Sequence, residues 1–294
     1  MKNTTKLRVK KMLSWIPDKT FIEIRYLMTF GKKINLKNPK TFNEKLQWLK
    51  LYDRNPKYVM LVDKYEVKKY VTEKIGEKHL IPTLGVWDKF DDIDFDNLPD
   101  KFVLKCTHDS GSVYLCQDKS KVDLKWLKKI FDEAANGNQY HGAREWAYKD
   151  VKPRIIAEEY MVDESGVELK DYKFFCFGGE VKYFNVDFER FKDHRANYYD
   201  LDFKQLPFGK VACPPDFSRK IEKPQNFEEM VILAEKLAGD IPFVRVDLYN
   251  VNGDIYFGEM TFSPAAGFGK FTIDEWDRKI GDYIQLPEPN RYSK

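Results

Sequence analysis

Chemistry is most densely written between residues 242 and 268, PFVRVDLYNVNGDIYFGEMTFSPAAGF. Arg245 and Asp247 stand two apart in an apolar run, so in a strand they project from one face. Asn252-Gly253 follows as a turn signal. It predicts a hairpin whose second strand runs through Ile255, Tyr256 and Phe257 and closes at Glu259, roughly opposite the first pair. A cation and two carboxylates on one face of an otherwise apolar hairpin are costly to bury without partners. Two explanations stay open on these residues alone. One is a structural ion pair of Arg245 with Asp247 or Glu259. The other is a divalent metal carrying a polyphosphate, with hard oxygen ligands for Mg2+ and a guanidinium for the remaining phosphate charge.

Further upstream, residues 102–106 form an apolar strand carrying Lys105, and a lone buried lysine normally needs an anion. The polar turn Thr107-His108-Asp109-Ser110-Gly111-Ser112 leads into a returning strand over 113–116. Its tip presents N–H groups and hydroxyls that can cover phosphates, without the spacing of a P-loop. Residues 154–161 read as a strand running into Glu158-Glu159-Tyr160-Met161, and 171–188 as a hairpin turning at Gly178-Gly179, with Asp171 and Lys173 on one face. Lys173 and Arg190 are candidates for a cleft, with an exposed sheet position as the default. Tyr198-Tyr199-Asp200 reads as loop packing.

These elements sit in a chain of 294 residues, enough for one large domain or two subdomains. Aromatic residues at 15 % argue against disorder despite 33 % charged residues. The net charge of +3 conceals an asymmetry: residues 1–50 hold thirteen Lys/Arg against three Asp/Glu, or +10, leaving −7 downstream. That excess suggests an anionic partner at the N-terminus. Within it, residues 6–16 form a short amphipathic pattern that could lie on an anionic membrane surface or pack with its lysines in solvent.

The four cysteines form no C-x-x-C pair and read as buried free thiols of a reducing compartment, and four scattered histidines argue against zinc. There is no apolar run of membrane-spanning length and no signal-peptide pattern, so a cytoplasmic protein is expected. Nothing points to nucleic acid as a partner.

Helices are expected over 41–53, from a Thr41/Glu44 capping box, and over 61–76, opened by Asp63-Lys64 and ended by Gly76. Two more are expected over 121–136 and 226–238, and an irregular loop over 80–100. Hairpins with intervening helices predict an α+β chain with largely antiparallel sheets. The expected organisation is a basic helical segment over 1–60, then units over 61–160 and 161–294.

Asp63-Lys64, VLKCTHDSGSV, IIAEEYM and RVDLY…GEMTFSP stand in an order similar to that of the ATP-grasp fold. The wording FNEKLQWLKLYDR, DKY, FVLKCTHDSGS, EEYM, DYKFFCF, PFVRVDLY and FGEMTFSPAAGF resembles, more closely, the TupA-like ATP-grasp family, over roughly residues 12–290. Members of that family occur with bacterial cell-surface polysaccharide genes and are often labelled glycosyltransferases. The resemblance implies ATP and Mg2+ as cofactors. It gives Lys64 and Lys105 the α- and β-phosphates, and His108, Ser110, Gly111 and Ser112 the loop closing over them. Glu158, Glu159, Tyr160 and Met161 become the adenine hinge, with an acid reaching N6. Asp171 falls near the ribose position, with Glu164 and Glu168 competing, and Lys173 lies beside it. Asp247 and Glu259 match the metal ligands and Arg245 the arginine that stabilises the transferring phosphate. Where such ligases end their metal motif E-x-N, this chain has Thr261, a shorter neutral ligand.

The implied activity is an ATP-dependent carboxylate–amine ligase working through an acyl phosphate, with Arg245 and Lys105 catalytic. Its substrates would be a carboxylate-bearing glycan, such as a uronic acid of capsule or O-antigen, and an amine such as an amino acid. Residues 1–50 would contact an anionic membrane or lipid-linked glycan at the inner face of the membrane. Two alternatives stand beside it. A glycosyltransferase would use a D-x-D motif, met formally by Asp200-Leu201-Asp202. The other is a nucleotide-binding protein without catalysis.

Overall fold

The computed structural model describes residues 15–163, 166, 169–189, 193–289 and 292. The amphipathic pattern over 6–16 lies outside these apart from its last two residues, and Glu164, Glu168 and Arg190 lie outside them as well. The chain divides into two compact units: Met1–Phe21 with Asn55–Tyr70 and Leu80–Met161, and Ile22–Arg54 with Val71–His79 and Val162–Lys294.

The first unit is built on a four-stranded antiparallel sheet. Its strands are β1 (Thr83–Trp87), β2 (Phe102–Cys106), β3 (Val113–Cys116) and β4 (Ile155–Glu159), in the order β1-β4-β2-β3. Alternation along the central strands sorts the side chains onto two faces. Phe102, Leu104, Cys106, Ile155 and Ala157 pack with Leu127 and Phe131 of the helix Leu124–Ala135, which Asp123 caps by accepting from the Trp126 N–H at 3.0 Å. The intervening residues Val103, Lys105, Ile156 and Glu158 therefore share the opposite face, and the register confirms it by pairing Lys105 with Ile156 and Val103 with Glu158.

Two expectations fail in this unit. Residues 83–87 form β1, paired with β4, where a loop was expected. Pro82 and the acidic stretch beyond Trp87 hide a five-residue strand whose partner is some seventy positions away. The helix expected over 61–76 is two helices, Lys57–Val62 and Val67–Ile75. The break has a local cause: the Asp63 carboxylate accepts from the N–H groups of Tyr65 and Glu66, an Asx-type turn that competes with helical bonding.

The second unit carries a five-stranded antiparallel sheet of β5 (Asp171–Phe177), β6 (Glu180–Phe188), β7 (Arg195–Tyr199), β8 (Val244–Val251) and β9 (Asp254–Thr261), in the order β7-β6-β5-β8-β9. Tyr198 and Tyr199 belong to β7, pairing Asn185 and Phe184, so the loop reading there is corrected. One face receives the apolar side of the helix Phe227–Ala238, with Phe174 and Phe184 against Phe227 at ring separations of 6.0 and 4.8 Å. On the other face Phe175, Tyr183, Tyr198 and Phe243 join Phe42 and Leu46 of the helix Phe42–Tyr52 and Ile280 of the helix Glu275–Tyr283.

The expected Thr41/Glu44 capping box is present. The Glu44 N–H donates to Thr41 Oγ1 at 3.2 Å and the Thr41 N–H to Glu44 Oε2 at 3.1 Å. That helix also anchors the segment after β9. Gln47 Nε2 donates to the Gly267 carbonyl at 2.7 Å and Lys50 Nζ to the Ala266 carbonyl at 2.9 Å. Ala265 and Ala266 both hold left-handed backbone, φ 50° and 55°, a strain of about 1–3 kcal/mol each that these bonds oppose.

Cys106, Cys116 and Cys176 are buried free thiols, and burial pushes Cys106 up to about 12. Among the described residues no helix is long and apolar enough to cross a membrane.

Candidate functional site

In the first unit the candidate residues gather on and around the face that carries Lys105. Lys105 Nζ donates to Glu158 Oε2 at 2.7 Å. A second lysine, Lys68 on the helix Val67–Ile75, donates to the other oxygen: Nζ lies 2.6 Å from Glu158 Oε1 and 2.8 Å from the Ile81 carbonyl it also bonds. The three side chains are 19 %, 13 % and 8 % exposed for Lys105, Lys68 and Glu158. Burial alone would raise the Glu158 carboxyl, but the ammonium groups of Lys105 and Lys68 hold it below its ordinary 4.5. A depressed carboxyl contributes stability above its unfolded value and loses it as pH falls through the folded one. The urea midpoint of the wild type is therefore expected to drop more steeply below pH 4.5 than that of Glu158→Gln. Parallel acid limbs would deny Glu158 this role.

Lys64 donates through Nζ to the Asp109 carbonyl, and its own N–H donates to the Thr107 carbonyl at 3.1 Å, so the helix break and the polar turn are tied together. Asp63 is held behind it by Arg154, Nη2 to Oδ2 at 2.8 Å. In the turn itself the Asp109 carboxylate does what a phosphate would do. It accepts from the N–H groups of Gly111 at 3.3 Å and Ser112 at 3.1 Å, and from Ser112 Oγ at 2.5 Å. Ser110 Oγ accepts from Gln139 Nε2 at 3.3 Å. His108 is buried, its Nε2 3.1 Å from the Ala134 carbonyl, so the ring pins the turn to the end of the helix Leu124–Ala135. Glu159 sits at the exposed end of β4, and the Tyr160 hydroxyl accepts from Gln117 Nε2 at 2.9 Å.

In the second unit Arg245 clamps Asp247 with two bonds, Nε to Oδ1 and Nη2 to Oδ2, both 2.6 Å. Nη2 also donates to Glu259 Oε1 at 2.9 Å and to Thr261 Oγ1 at 3.1 Å, and Thr261 Oγ1 donates to Glu259 Oε1 at 3.2 Å. Burial alone would lower the Arg245 guanidinium, but Asp247 and Glu259 hold it above its ordinary range. The neighbouring Lys173 bonds Asp171 and lies 3.2 Å from Asp247 Oδ2 and 3.4 Å from Asp187 Oδ2. Burial opposes its charge, and Asp171, Asp247 and Asp187 keep it charged. Asp187 also accepts from Asn185 Nδ2 at 2.6 Å and has His194 Nε2 at 3.2 Å.

A register irregularity brings this cluster together. From the Asn252-Gly253 turn outward the hairpin pairs Val251 with Asp254 and Leu248 with Phe257. Continued without a break, that count would set Glu259 beside Val246, on the core face. Between Asp247 and Leu248 the register shifts, Gly258 is left unpaired, and Asp247 pairs with Glu259 and Arg245 with Thr261. A Cβ at Gly258 would lie 3.0 Å from the Asp247 carbonyl oxygen and 3.1 Å from the Tyr249 ring, so glycine suits the close approach.

The sequence model of the TupA-like ATP-grasp family matches residues 44–285. The chain belongs to that family. Two antiparallel sheets, one in each unit, give it the ATP-grasp α+β fold. Among solved structures it is similar to two of D-alanine–D-alanine ligase from Bacillus anthracis, one in complex with ATP (15 % identity, 69 % of this chain and 54 % of that one, TM-score 0.40) and a second (17 %, 84 % and 69 %, 0.45). It is likewise similar to the same enzyme from Helicobacter pylori (14 %, 78 % and 61 %, 0.43). The chain thus spans 54–69 % of the length of these ligases. No curated protein matches it.

Within this ATP-grasp chain, Arg245, Asp247, Glu259 and Thr261 come together, and Lys173 and Asp171 adjoin them. Lys105 meets Glu158, and Lys64 meets the turn. Lys68, Asp109 and Asp187 were missed. Asp187 was findable, because FNVDF at 184–188 puts Asn185 and Asp187 on one face. Asp200 and Asp202 lie in the turn after β7, where Asp200 Oδ1 accepts from the Lys204 N–H at 2.9 Å.

Among the described residues no group of three or more His, Cys, Asp or Glu side chains is arranged to hold a metal ion. The donors at Asp247, Glu259 and Thr261 are nonetheless of the right kind for Mg2+, two carboxylates and a hydroxyl at paired strand positions, and Arg245 engages all three.

Proposed function

We propose that the chain is an ATP-dependent carboxylate–amine ligase that passes through an acyl phosphate. A substrate carboxylate attacks the γ-phosphorus of ATP and ADP leaves. An amine then attacks the acyl carbon, inorganic phosphate leaves, and an amide remains. The observation that carries this reading is the Gly258 register shift, which puts Arg245, Asp247, Glu259 and Thr261 on one patch of an ATP-grasp chain. The protein's work is positioning and charge neutralisation. Lys64 and Lys105 hold the α- and β-phosphates under the 107–112 turn, His108 keeps that turn in place, and Glu158 to Met161 form the base-binding end. Asp171 and Lys173 hold the ribose end and the neighbouring phosphate. Arg245 stabilises charge on the transferring phosphoryl group. Asp247 and Glu259, with Thr261 beside them, would hold Mg2+, which would supply charge neutralisation to the phosphates. For that, Arg245 must share the carboxylates it clamps.

The acceptor in this reading is a carboxylate on a glycan, a uronic acid of a cell-surface polysaccharide, and the amine an amino acid. The basic excess of residues 1–50 suits an anionic glycan or its lipid carrier at the cytoplasmic face of the membrane. A second reading, nucleotide binding without turnover, draws on Arg245 already occupying the carboxylates.

ADP release across a panel of uronic-acid glycans and amino acids separates the two readings. Turnover that needs both substrates supports the ligase, and ATP binding with no turnover on any pair supports the second. ATP with Mg2+ at about 100 Kd should stabilise the protein by about 2.7 kcal/mol, a rise of several degrees in Tm, while a UDP-sugar should leave Tm unchanged. Stabilisation by the UDP-sugar and not by ATP would instead favour a glycosyltransferase.

A further inference from the structure

Between β3, the 107–112 turn and the helix Leu124–Ala135, all in the first unit, lies a cavity of about 340 Å³, the size of a small-ligand pocket. Tyr114 in its wall pairs with Leu104 of β2, so it projects on the helix side of the sheet, opposite Lys105. The floor is apolar, with Leu127 and Phe131 each 1 % exposed. Trp126, 51 % exposed, lines the cavity beside Tyr114 at a ring separation of 6.2 Å. Asp109, Ser112, Glu133 and Gln139 supply polar lining, and among the described residues that line it there is no lysine, arginine or histidine. The turn already engages Asp109, whereas Glu133 makes no hydrogen bond or ion pair with any described residue. We propose that this cavity binds a neutral sugar ring, with Trp126 as the platform for its C–H face and Glu133 as the acceptor for its hydroxyls.

The ligand class follows from what the lining can satisfy. An anion meets two carboxylates and no cation there, which disfavours phosphates and uronic acids. A wholly apolar ligand would fill the floor and strip water from the Glu133 carboxylate without replacing it. A pyranose meets both demands in one small body, with a C–H face for an aromatic ring and a rim of hydroxyls for carboxylate and amide oxygens. An organic cation is the competing fit, and it is held best over aromatic faces turned toward one point. Tyr114 and Trp126 instead meet edge to face, at an interplanar angle of 64°, which leaves a single platform.

Sugar binding here goes beyond the ligase reading and needs neither ATP nor turnover. The cavity would hold a neutral residue of a glycan, not the carboxylate which that reading phosphorylates. Asp109, Gly111 and Ser112 line it, so an occupant adjoins the turn directly.

Ligand-observed saturation-transfer NMR on the full chain tests the proposal, with methyl glycosides of glucose, galactose, mannose and N-acetylglucosamine, with D-glucuronate and with tetramethylammonium. At least one neutral glycoside is expected to bind, and D-glucuronate to bind roughly tenfold more weakly or not at all. Trp126→Ala should weaken the glycoside by about tenfold, while Trp126→Phe keeps most of the affinity. Trp126 is half exposed, and the backbone N–H that Asp123 caps survives the substitution, so the helix start is preserved. Glu133→Gln removes a charge at constant shape and should narrow the gap between glycoside and glucuronate. Failure of every neutral glycoside to bind overturns the proposal, as does binding that neither Trp126→Ala nor Glu133→Gln alters. Tetramethylammonium bound in preference to all the glycosides would make the cavity a cation site and overturn it as well. The ligase reading survives each of these results, and its own failure, no ADP release on any substrate pair, leaves the sugar titration untouched.

Discussion

Glu259→Gln is expected to cut ATP-dependent ADP release on the order of a thousandfold, close to 4 kcal/mol of transition-state stabilisation, with the fold left almost untouched. The side chain is 37 % exposed and its bond to Arg245 is one of several that guanidinium makes, so its loss costs about 1 kcal/mol or less. Asp247 differs. Its side chain is 2 % exposed and faces both Arg245 and Lys173, so Asp247→Asn should abolish turnover and also cost about 3–5 kcal/mol by leaving buried cations undercompensated. Turnover and urea denaturation on the same preparations decide it. A Glu259→Gln enzyme with wild-type turnover would remove that carboxylate from the metal assignment. An Asp247→Asn protein as stable as wild type would show that the clamp does not depend on its charge.

Phe243→Ala is expected to cost about 3–5 kcal/mol of stability, with no charge involved. Phe243 is 1 % exposed and meets Phe42, Phe175 and Phe177 at ring separations of 5.0, 6.3 and 5.1 Å. Two residues before Arg245, it anchors the aromatic end of the face on which the charged cluster stands. Cavity formation there should lower the urea midpoint at unchanged slope. A loss below about 1 kcal/mol would mean that the ring cluster collapses to fill the space.

What the sequence made legible was local. Thr41 and Glu44 announced a helix start, Asn252-Gly253 a hairpin, and the two-residue spacing of Arg245 and Asp247 a common face. Each signal depends on residues within a few positions of one another. Glu259 joined that face for a reason that plain alternation contradicts: counted from the turn, it belongs with Val246, and only the bulge at Gly258 turns it over. A glycine just before a charged strand end was the available sign. The losses were non-local. β1 is short, follows a proline and finds its partner far along the chain, so no window around it reads as sheet. Lys68 stands with Lys69 and Lys74 in a lysine-rich helix, and nothing nearby foretold Glu158, ninety residues on. The break at Asp63 was hidden because the same aspartate that interrupts one helix caps the next turn.

Asp109 has a consequence for which anions can bind. Its carboxylate is a tethered competitor, held against the Gly111 and Ser112 N–H groups by three covalent neighbours' worth of chain rather than by concentration. A tethered group acts at an effective concentration in the millimolar range or above. On the proposed reading of this turn, a free monovalent anion at ordinary cellular levels would meet a seat already taken, whereas a polyphosphate drawn in by several lysines at once would displace the side chain. In the proposed phosphate site, the turn would discriminate by valency before it discriminates by shape.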